Sequence, residues 1–155
     1  MGCGRVGALV ADELDSVGHS VAIIDQDPDA FSRLSPDFSG RRITGSGFDR
    51  TVLKKARITD AYAFAAVSNG DNSNIIATRT VAEEFGVKHV VARISDPERA
   101  SLYERLGIPT IAATKRIGSA VLTRMLPPGS SLAWTDPTGQ VSLVAVRPAP
   151  SWYGK

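Results

Sequence analysis

Apolar and polar positions follow two different rhythms along the chain, one typical of helices and one typical of buried strands. After Gly4, apolar side chains recur at helical spacing, and Gly18 stands where a helix commonly ends. The segment "HSVAIID" is short, β-prone and mostly apolar, which is typical of a strand buried on both faces of a sheet. The chain therefore begins with a predicted helix and a buried strand. The apolar positions of the helix are Val6, Leu9, Val10, Leu14 and Val17.

The alternation of strands and helices then repeats. Further strands are predicted in "RRITGSG", "AYAFAAV", "HVVARI" and "IPTIAA", of which "AYAFAAV" is expected to be the most buried. Helices are predicted in "PDAFSRLS", "DRTVLKKARI" with Asp49 as N-cap, "NIIATRTVAEEFG", "SDPERASLYERLG" and "TKRIGSAVLTRML". Because parallel neighbours need crossover helices, this order predicts an α/β fold, a Rossmann-like doubly wound parallel sheet.

The pattern changes after Pro127-Pro128-Gly129, which we take as a boundary. Residues 1–126 are predicted to form the nucleotide-binding domain described below, and residues 127–155 a linker with a short β extension. In that extension, "QVSLVAV" follows the turn "DPTG" and predicts either a hairpin or the first strands of another unit.

Composition excludes several classes of protein. The net charge is +2 and charges of both signs are interspersed, which argues against a nucleic-acid partner. The apolar run "AYAFAAV" is far shorter than the about 20 residues that span a bilayer. The single Cys3 cannot form an internal disulfide, which fits a reducing cytoplasm.

The opening "MGCGRVG" contains Gly2, Gly4 and Gly7, a G-x-G-x-x-G triplet. Alone the triplet is a weak signal, since such stretches also make plain turns. A helix follows it, however, whose first amides and dipole would face a phosphate. Asp25 ends the next strand, where a carboxylate accepts hydrogen bonds from a ribose diol. Together they predict an adenine-nucleotide site, and the charge of Asp25 favours NAD over NADP.

Other polar side chains are open to two interpretations. Arg5 could hold a terminal phosphate or be a solvated arginine of the first helical turn. Arg93 ends a buried strand, where either a bound anion or a structural ion pair would compensate its charge. The loop "SNGDNSN" offers nucleotide contacts or ordinary loop and cap residues. Its candidates are Asn69, Asp71, Asn72 and Asn74.

Groups that would carry catalysis are not evident in the sequence. It has no Tyr-x-x-x-Lys pair and no metal-ligand cluster, and His19 and His89 are predicted to be surface or packing residues. Cys3 fills a slot between two glycines with no neighbouring base. The pattern favours a binding protein over an enzyme.

Several segments resemble the RCK (KTN, TrkA-N) domain family: "GCGRVGALVADEL", "GHSVAIIDQDPDAF" and "NSNIIATRTVAEEFGVKHVVARISDPERASLYERLGI". The tail "VSLVAVRPAPSWYGK" resembles the beginning of the family's second subdomain, TrkA-C. The resemblance implies a cytoplasmic regulatory subunit, peripheral at the inner face of the plasma membrane, that binds NAD(H) or ATP/ADP. It further implies an integral-membrane potassium transporter subunit as partner, and a homo-oligomer in which dimers assemble into a ring.

The resemblance also assigns residues to parts of the ligand. It places phosphates on Gly2, Gly4, Arg5, Val6 and Gly7, the ribose on Asp25, and the adenine side on the loop 45–48 with Gly45 and Ser46. Further contacts are implied for Ser68, Asn69 and Arg93.

The family has a central strand before the glycine loop, and here only Met1 precedes it. Either the start is assigned one strand late or the chain is trimmed. Buried groups left unpaired cost about 1–3 kcal/mol each, so we expect instability unless a partner or further residues close the gap. Two other functions stay open: an NAD-dependent dehydrogenase fragment, and a degenerate structural Rossmann domain. The last predicted helix, with Ile117, Val121 and Met125, is either an association surface or packs on its own sheet.

Overall fold

The structure is a computed structural model that describes residues 1–125, 130–135, 142–146 and 152. The chain forms two compact units, residues 1–114 and residues 115–155. The boundary predicted at residues 127–129 lies outside the described residues and stays a prediction.

The predicted helices and strands are confirmed in type and order. The helices are α1 (Arg5–Ser16), α2 (Arg50–Lys55), α3 (Asp71–Phe85), α4 (Pro97–Arg105) and α5 (Ala113–Met125), with 3₁₀ helices at Pro28–Arg33 and Ile58–Asp60. The strands are β1 (Ala22–Asp25), β2 (Arg41–Thr44), β3 (Ala63–Ala66), β4 (His89–Ile94), β5 (Thr110–Ala112), β6 (Ser130–Thr135) and β7 (Ser142–Val146).

The first unit contains two parallel sheets, one with the order β1-β2 and the other with the order β3-β4-β5. Met1 and Gly2 lie between them. The Gly2 amide donates to the carbonyl of Ile24 at 2.7 Å, and the Val67 amide donates to the carbonyl of Met1 at 2.9 Å. The Met1 nitrogen donates to Ala65 at 2.8 Å. The order is therefore β2-β1-(Met1, Gly2)-β3-β4-β5, in which two residues occupy the place of the expected central strand. This is the predicted Rossmann-like α/β class.

Helix α1 packs through a face that the sequence pattern did not indicate. Its buried residues are Gly7, Ala8 and Ala11, whereas the predicted apolar stripe is exposed, with Leu9 at 59% and Val17 at 71%. A Cβ atom on Gly7 would lie 1.8 Å from the carbonyl oxygen of Gly2. Because the helix approaches the chain so closely, only small side chains fit on the inner face.

The core of the first unit is built from side chains of several elements, including the fully buried Leu53, Val81 and Ile94. The expectation that β3 is the most buried strand is wrong: Ala63 is exposed, whereas both central residues of β1 are buried. The predicted cap at Asp49 is confirmed, since its carboxylate accepts from the Thr51 amide at 2.6 Å. These hydrogen bonds to backbone amides lower the pKa of Asp49.

In the second unit, β6 and β7 pair in antiparallel fashion, as expected of the hairpin alternative. That these strands begin another unit stays a prediction. The turn "DPTG" lies outside the described residues. Helix α5 has no buried residue. Within the described part of the chain, no helix combines the length and the apolar character needed to cross a membrane.

Candidate functional site

A cleft of about 700 Å³ lies at the carboxyl ends of β1 and β3, and its volume is within the range of small-molecule sites. Nine of the predicted site residues line it: Gly2, Gly4, Arg5, Val6, Asp25, Gly45, Ser68, Asn69 and Arg93. Gly7 and Ser46 do not line it. Gly7 instead allows the close packing of α1, and the buried Oγ of Ser46 has no hydrogen-bond partner among the residues that the structure describes.

The glycines of the triplet have different surroundings. Gly2 has φ +91°, and a Cβ atom there would lie 2.7 Å from the Ser68 amide nitrogen. Gly7 is packed against Gly2, as described above. A Cβ atom on Gly4, in contrast, would meet no atom within 4 Å. Gly2 and Gly7 therefore shape the loop, whereas Gly4 leaves free space at the cleft.

The beginning of α1 provides hydrogen-bond donors without side-chain compensation. Gly4 is its N-cap and contributes no side-chain hydrogen bond, and the first turn has no acidic residue. The first amides of a helix lack intrahelical partners and carry the positive end of its dipole. Arg5, which is exposed, adds a positive charge in the same turn. This arrangement suits an anion such as a phosphate.

The Asp25 carboxylate lies at the other side of the glycine loop. Its Oδ2 accepts from the Cys3 amide at 2.5 Å, and its Oδ1 accepts from the Asp27 amide at 3.0 Å. A carboxylate offers about four acceptor positions, so hydroxyl groups can still bind. Asp27 has a different role, because it caps the first 3₁₀ helix by accepting from the Asp29 amide.

Cys3 is fully buried, and its Sγ donates to the carbonyl of Ala30 at 3.3 Å. Burial, followed by the charge of Asp25, raises the pKa of the thiol. The thiol therefore stays protonated. The small Cys3 side chain fills the space between Gly2 and Gly4, as the sequence predicted.

Two arginines other than Arg5 line the cleft. Arg93 donates from Nη1 to the carbonyl of Ser68 at 2.8 Å, and no carboxylate of the described residues lies within 4.0 Å of it. A structural ion pair for Arg93 therefore has no support in that part of the chain. Arg33 was not predicted; its Nη1 donates to the carbonyl of Ala30 at 3.3 Å. Arg33 ends the short 3₁₀ helix that follows β1, and this nearness to Asp25 in the sequence was the available signal.

The loop after β3 is held together by Asn74, which is fully buried. Its Oδ1 accepts from the amide and the hydroxyl of Ser68 at 3.0 and 2.7 Å, and its Nδ2 donates to the carbonyls of Ser68 and Arg93. Asp71 accepts from the Ser95 amide at 2.9 Å, and Asn72 accepts from Arg99. Of the four candidates in this loop, only Asn69 lines the cleft.

The cleft residues fit a nucleotide better than a metal or a reaction centre. Space at Gly4, an uncapped helix start and a carboxylate with spare acceptor positions suit phosphate and ribose groups. Neither His19 nor His89 is among the lining residues, and His89 instead stacks on Tyr62 with ring centroids 4.5 Å apart. Among the described residues, no three His, Cys, Asp or Glu side chains could hold a metal ion together.

Residues 1–114 match the sequence model of a known protein family, the TrkA-N domain. The chain belongs to the TrkA-N domain family. It is 54% identical over 154 residues to the "Trk system potassium uptake protein TrkA" of Streptomyces coelicolor, covering 99% of this chain and 69% of that protein. The chain is thus a homologue of Trk potassium uptake proteins.

Solved structures of TrkA-N domains have the same fold. The TrkA-N domain of the inner membrane protein ybaL from Escherichia coli superposes with a TM-score of 0.66 at 16% identity, covering 81% of this chain and 93% of that one. The Kef C-terminal domain of Shewanella denitrificans, solved in an AMP-bound form, gives a TM-score of 0.64 at 21% identity, covering 81% and 79%. At these identities the likeness concerns the fold.

Proposed function

We propose that the TrkA-N domain, which is the first unit of the chain, binds an adenine nucleotide, either NAD(H) or ATP/ADP. We further propose that the chain is a regulatory subunit of a potassium uptake system. The observation that carries the proposal is that the uncapped start of α1 and the Asp25 carboxylate line one cleft. One end of the cleft suits phosphates and the other suits a ribose diol.

Each lining residue has a role in this proposal. The phosphates lie against Gly2, Gly4, Val6 and the first amides of α1, Arg5 holds the terminal phosphate, and Asp25 accepts from the ribose. Gly45 is on the adenine side, with Ser46 next to it in the chain but outside the cleft lining, and Ser68, Asn69 and Arg93 complete the wall opposite β1. The guanidinium of Arg93 uses one donor on Ser68 and keeps others for a phosphate.

The regulatory part of the proposal rests on the relative named for potassium uptake and on the exposed surface of α5. Ile117, Val121 and Met125 are all exposed on that helix. We infer that the chain assembles as dimers into a ring at the cytoplasmic face of the membrane and contacts an integral-membrane potassium transporter subunit. A nucleotide that binds one ring conformation more tightly shifts the population toward it.

A dehydrogenase is the alternative, and the cleft disfavours it. Hydride transfer to a carbonyl needs a proton donor beside the nicotinamide. No histidine, tyrosine or lysine of the described residues lines the cleft. We therefore propose a binding role without catalysis. The third possibility, a degenerate structural Rossmann domain, would bind no nucleotide, so the titration described next distinguishes it from the proposed binding protein.

Titration calorimetry with ATP, ADP, AMP and NADH tests the proposal. Arg5→Ala should weaken ATP about tenfold or more and AMP only slightly, because a charge-assisted hydrogen bond to the terminal phosphate is lost. Arg105→Ala is the matched control, since Arg105 does not line the cleft. Equal losses for ATP and AMP would contradict the role of Arg5, and no saturable binding of any of the four nucleotides would contradict the function.

A further inference from the structure

The glycine loop is fixed to the neighbouring elements on its ribose side before any ligand is considered. The Gly2 amide donates to the carbonyl of Ile24 at 2.7 Å, and the Cys3 amide donates to Asp25 Oδ2 at 2.5 Å. The Cys3 thiol donates to the carbonyl of Ala30 at 3.3 Å. Three contacts from two successive residues therefore hold the loop immediately before Gly4.

Among these contacts, the one to Asp25 is the only one made to a charged group. Its second oxygen accepts from the Asp27 amide, so the carboxylate joins the loop before α1 to the turn after β1. Hydrogen bonds to an ionised acceptor are shorter and roughly twice as strong as neutral ones. Without this acceptor, the amide of the buried Cys3 would lose its partner, which is costly for a buried donor.

We propose that Asp25 is a positioning residue for phosphate binding, because it holds the Cys3 amide and thereby the geometry of the loop that leads into α1. This inference rests on the proposed function and adds to the ribose contact proposed there. It implies that phosphate binding depends on Asp25 even for a ligand that has no ribose.

Electrostatics alone predicts the opposite sign, which makes the inference testable. Replacing Asp25 by Asn removes a negative charge from the cleft and should then tighten the binding of any polyphosphate. If Asp25 positions the loop, the same change weakens that binding. An asparagine has one acceptor oxygen in place of two, so it cannot accept from both the Cys3 and the Asp27 amides. Its NH₂ group would then face one of these two backbone N–H groups.

The test compares inorganic tripolyphosphate, which has no ribose, with ATP. For Asp25→Asn, we expect both affinities to fall by a similar factor of about ten, as for loss of a hydrogen bond to a charged group. Asp27→Asn is the matched control, because it removes the same charge at the same cleft, while the Asp27 side chain accepts only from the Asp29 amide of its own 3₁₀ helix and the hydrogen bond from its backbone amide to Asp25 is retained. It should leave tripolyphosphate binding unchanged or slightly tighter. Unchanged or tighter binding of tripolyphosphate to Asp25→Asn would overturn the inference.

Amide hydrogen exchange on the ligand-free protein separates this inference from the proposed function. The Cys3 amide should exchange slowly in the wild type and in Asp27→Asn, and at least about tenfold faster in Asp25→Asn. If Asp25→Asn does not fold, the wild type still decides: rapid exchange of the Cys3 amide would overturn the proposal. Failure of the wild type to bind either probe would count against the nucleotide site, whereas the exchange result would still test the contact.

Discussion

At the residue scale, the glycines of the opening triplet show how one motif serves two purposes. Gly2 and Gly7 are needed because backbone atoms lie where a side chain would begin, whereas Gly4 faces open space. The sequence predicts the triplet as a unit and cannot distinguish these roles, since they depend on contacts with Ser68 and with the loop itself.

Substitutions of Gly4 and Gly7 should therefore have different effects. Gly7→Ala should lower the free energy of unfolding by at least about 2 kcal/mol, because the new methyl group overlaps the carbonyl of Gly2. Gly4→Ala should leave that free energy nearly unchanged and weaken ATP binding, since the methyl group occupies cleft space. Chemical denaturation and calorimetry measure the two effects.

Gly118→Ala is the control for this pair, because a Cβ atom there also meets nothing within 4 Å but the residue lies in α5. It should not change ATP affinity. If Gly4→Ala binds ATP as tightly as the wild type, the phosphates do not lie where we place them.

The loop after β3 shows a second limit of sequence reasoning at this scale. The sequence offers four polar residues in this loop either as nucleotide contacts or as ordinary loop and cap residues, yet Asn74 is enclosed and uses both ends of its amide within the protein. Its partners include the backbone of Arg93, a contact that depends on the pairing of β3 with β4 and has no signal in the local sequence.

At the scale of elements, the kinds and order of helices and strands follow from the sequence because apolar periodicity, aspartate caps and terminal glycines agree. Asp96 caps α4, and Gly86 ends α3 with φ +72°. The face of α1 could not be predicted, because apolar periodicity suggests that the large residues point inward. Because α1 lies so close to the backbone of Gly2, only small residues fit on its buried face, and the large apolar residues point outward.

The exposed apolar surface of α5 leads to a prediction about assembly. In the proposed homo-oligomer, Val121→Glu should shift the protein toward smaller species in sedimentation velocity, because a charge then enters an apolar contact. Ser119→Glu is the control, since it places the same charge on the same helix away from Ile117 and Val121. If both variants sediment like the wild type, α5 does not contribute to association.

At the scale of the whole molecule, the first unit has the Rossmann-like strand order, with Met1 and Gly2 in the central position. This position brings the glycine loop between the carboxyl ends of β1 and β3, so that residues distant in the sequence line one cleft. Strand order and cleft could be anticipated from the fold class, but the contact of Asp25 with Cys3 required coordinates.

The central claim is that a nucleotide's phosphates lie on the first turn of α1 while Asp25 contacts its ribose. The most direct measurement is a ¹⁵N-correlation NMR titration of the chain with ATP. We expect saturable shifts that are largest for the amides of Gly4, Arg5 and Val6, with further shifts at Asp25. Shifts confined to residues outside the cleft, such as His19 and Arg41, or no saturable shift at the glycine loop, would contradict the account.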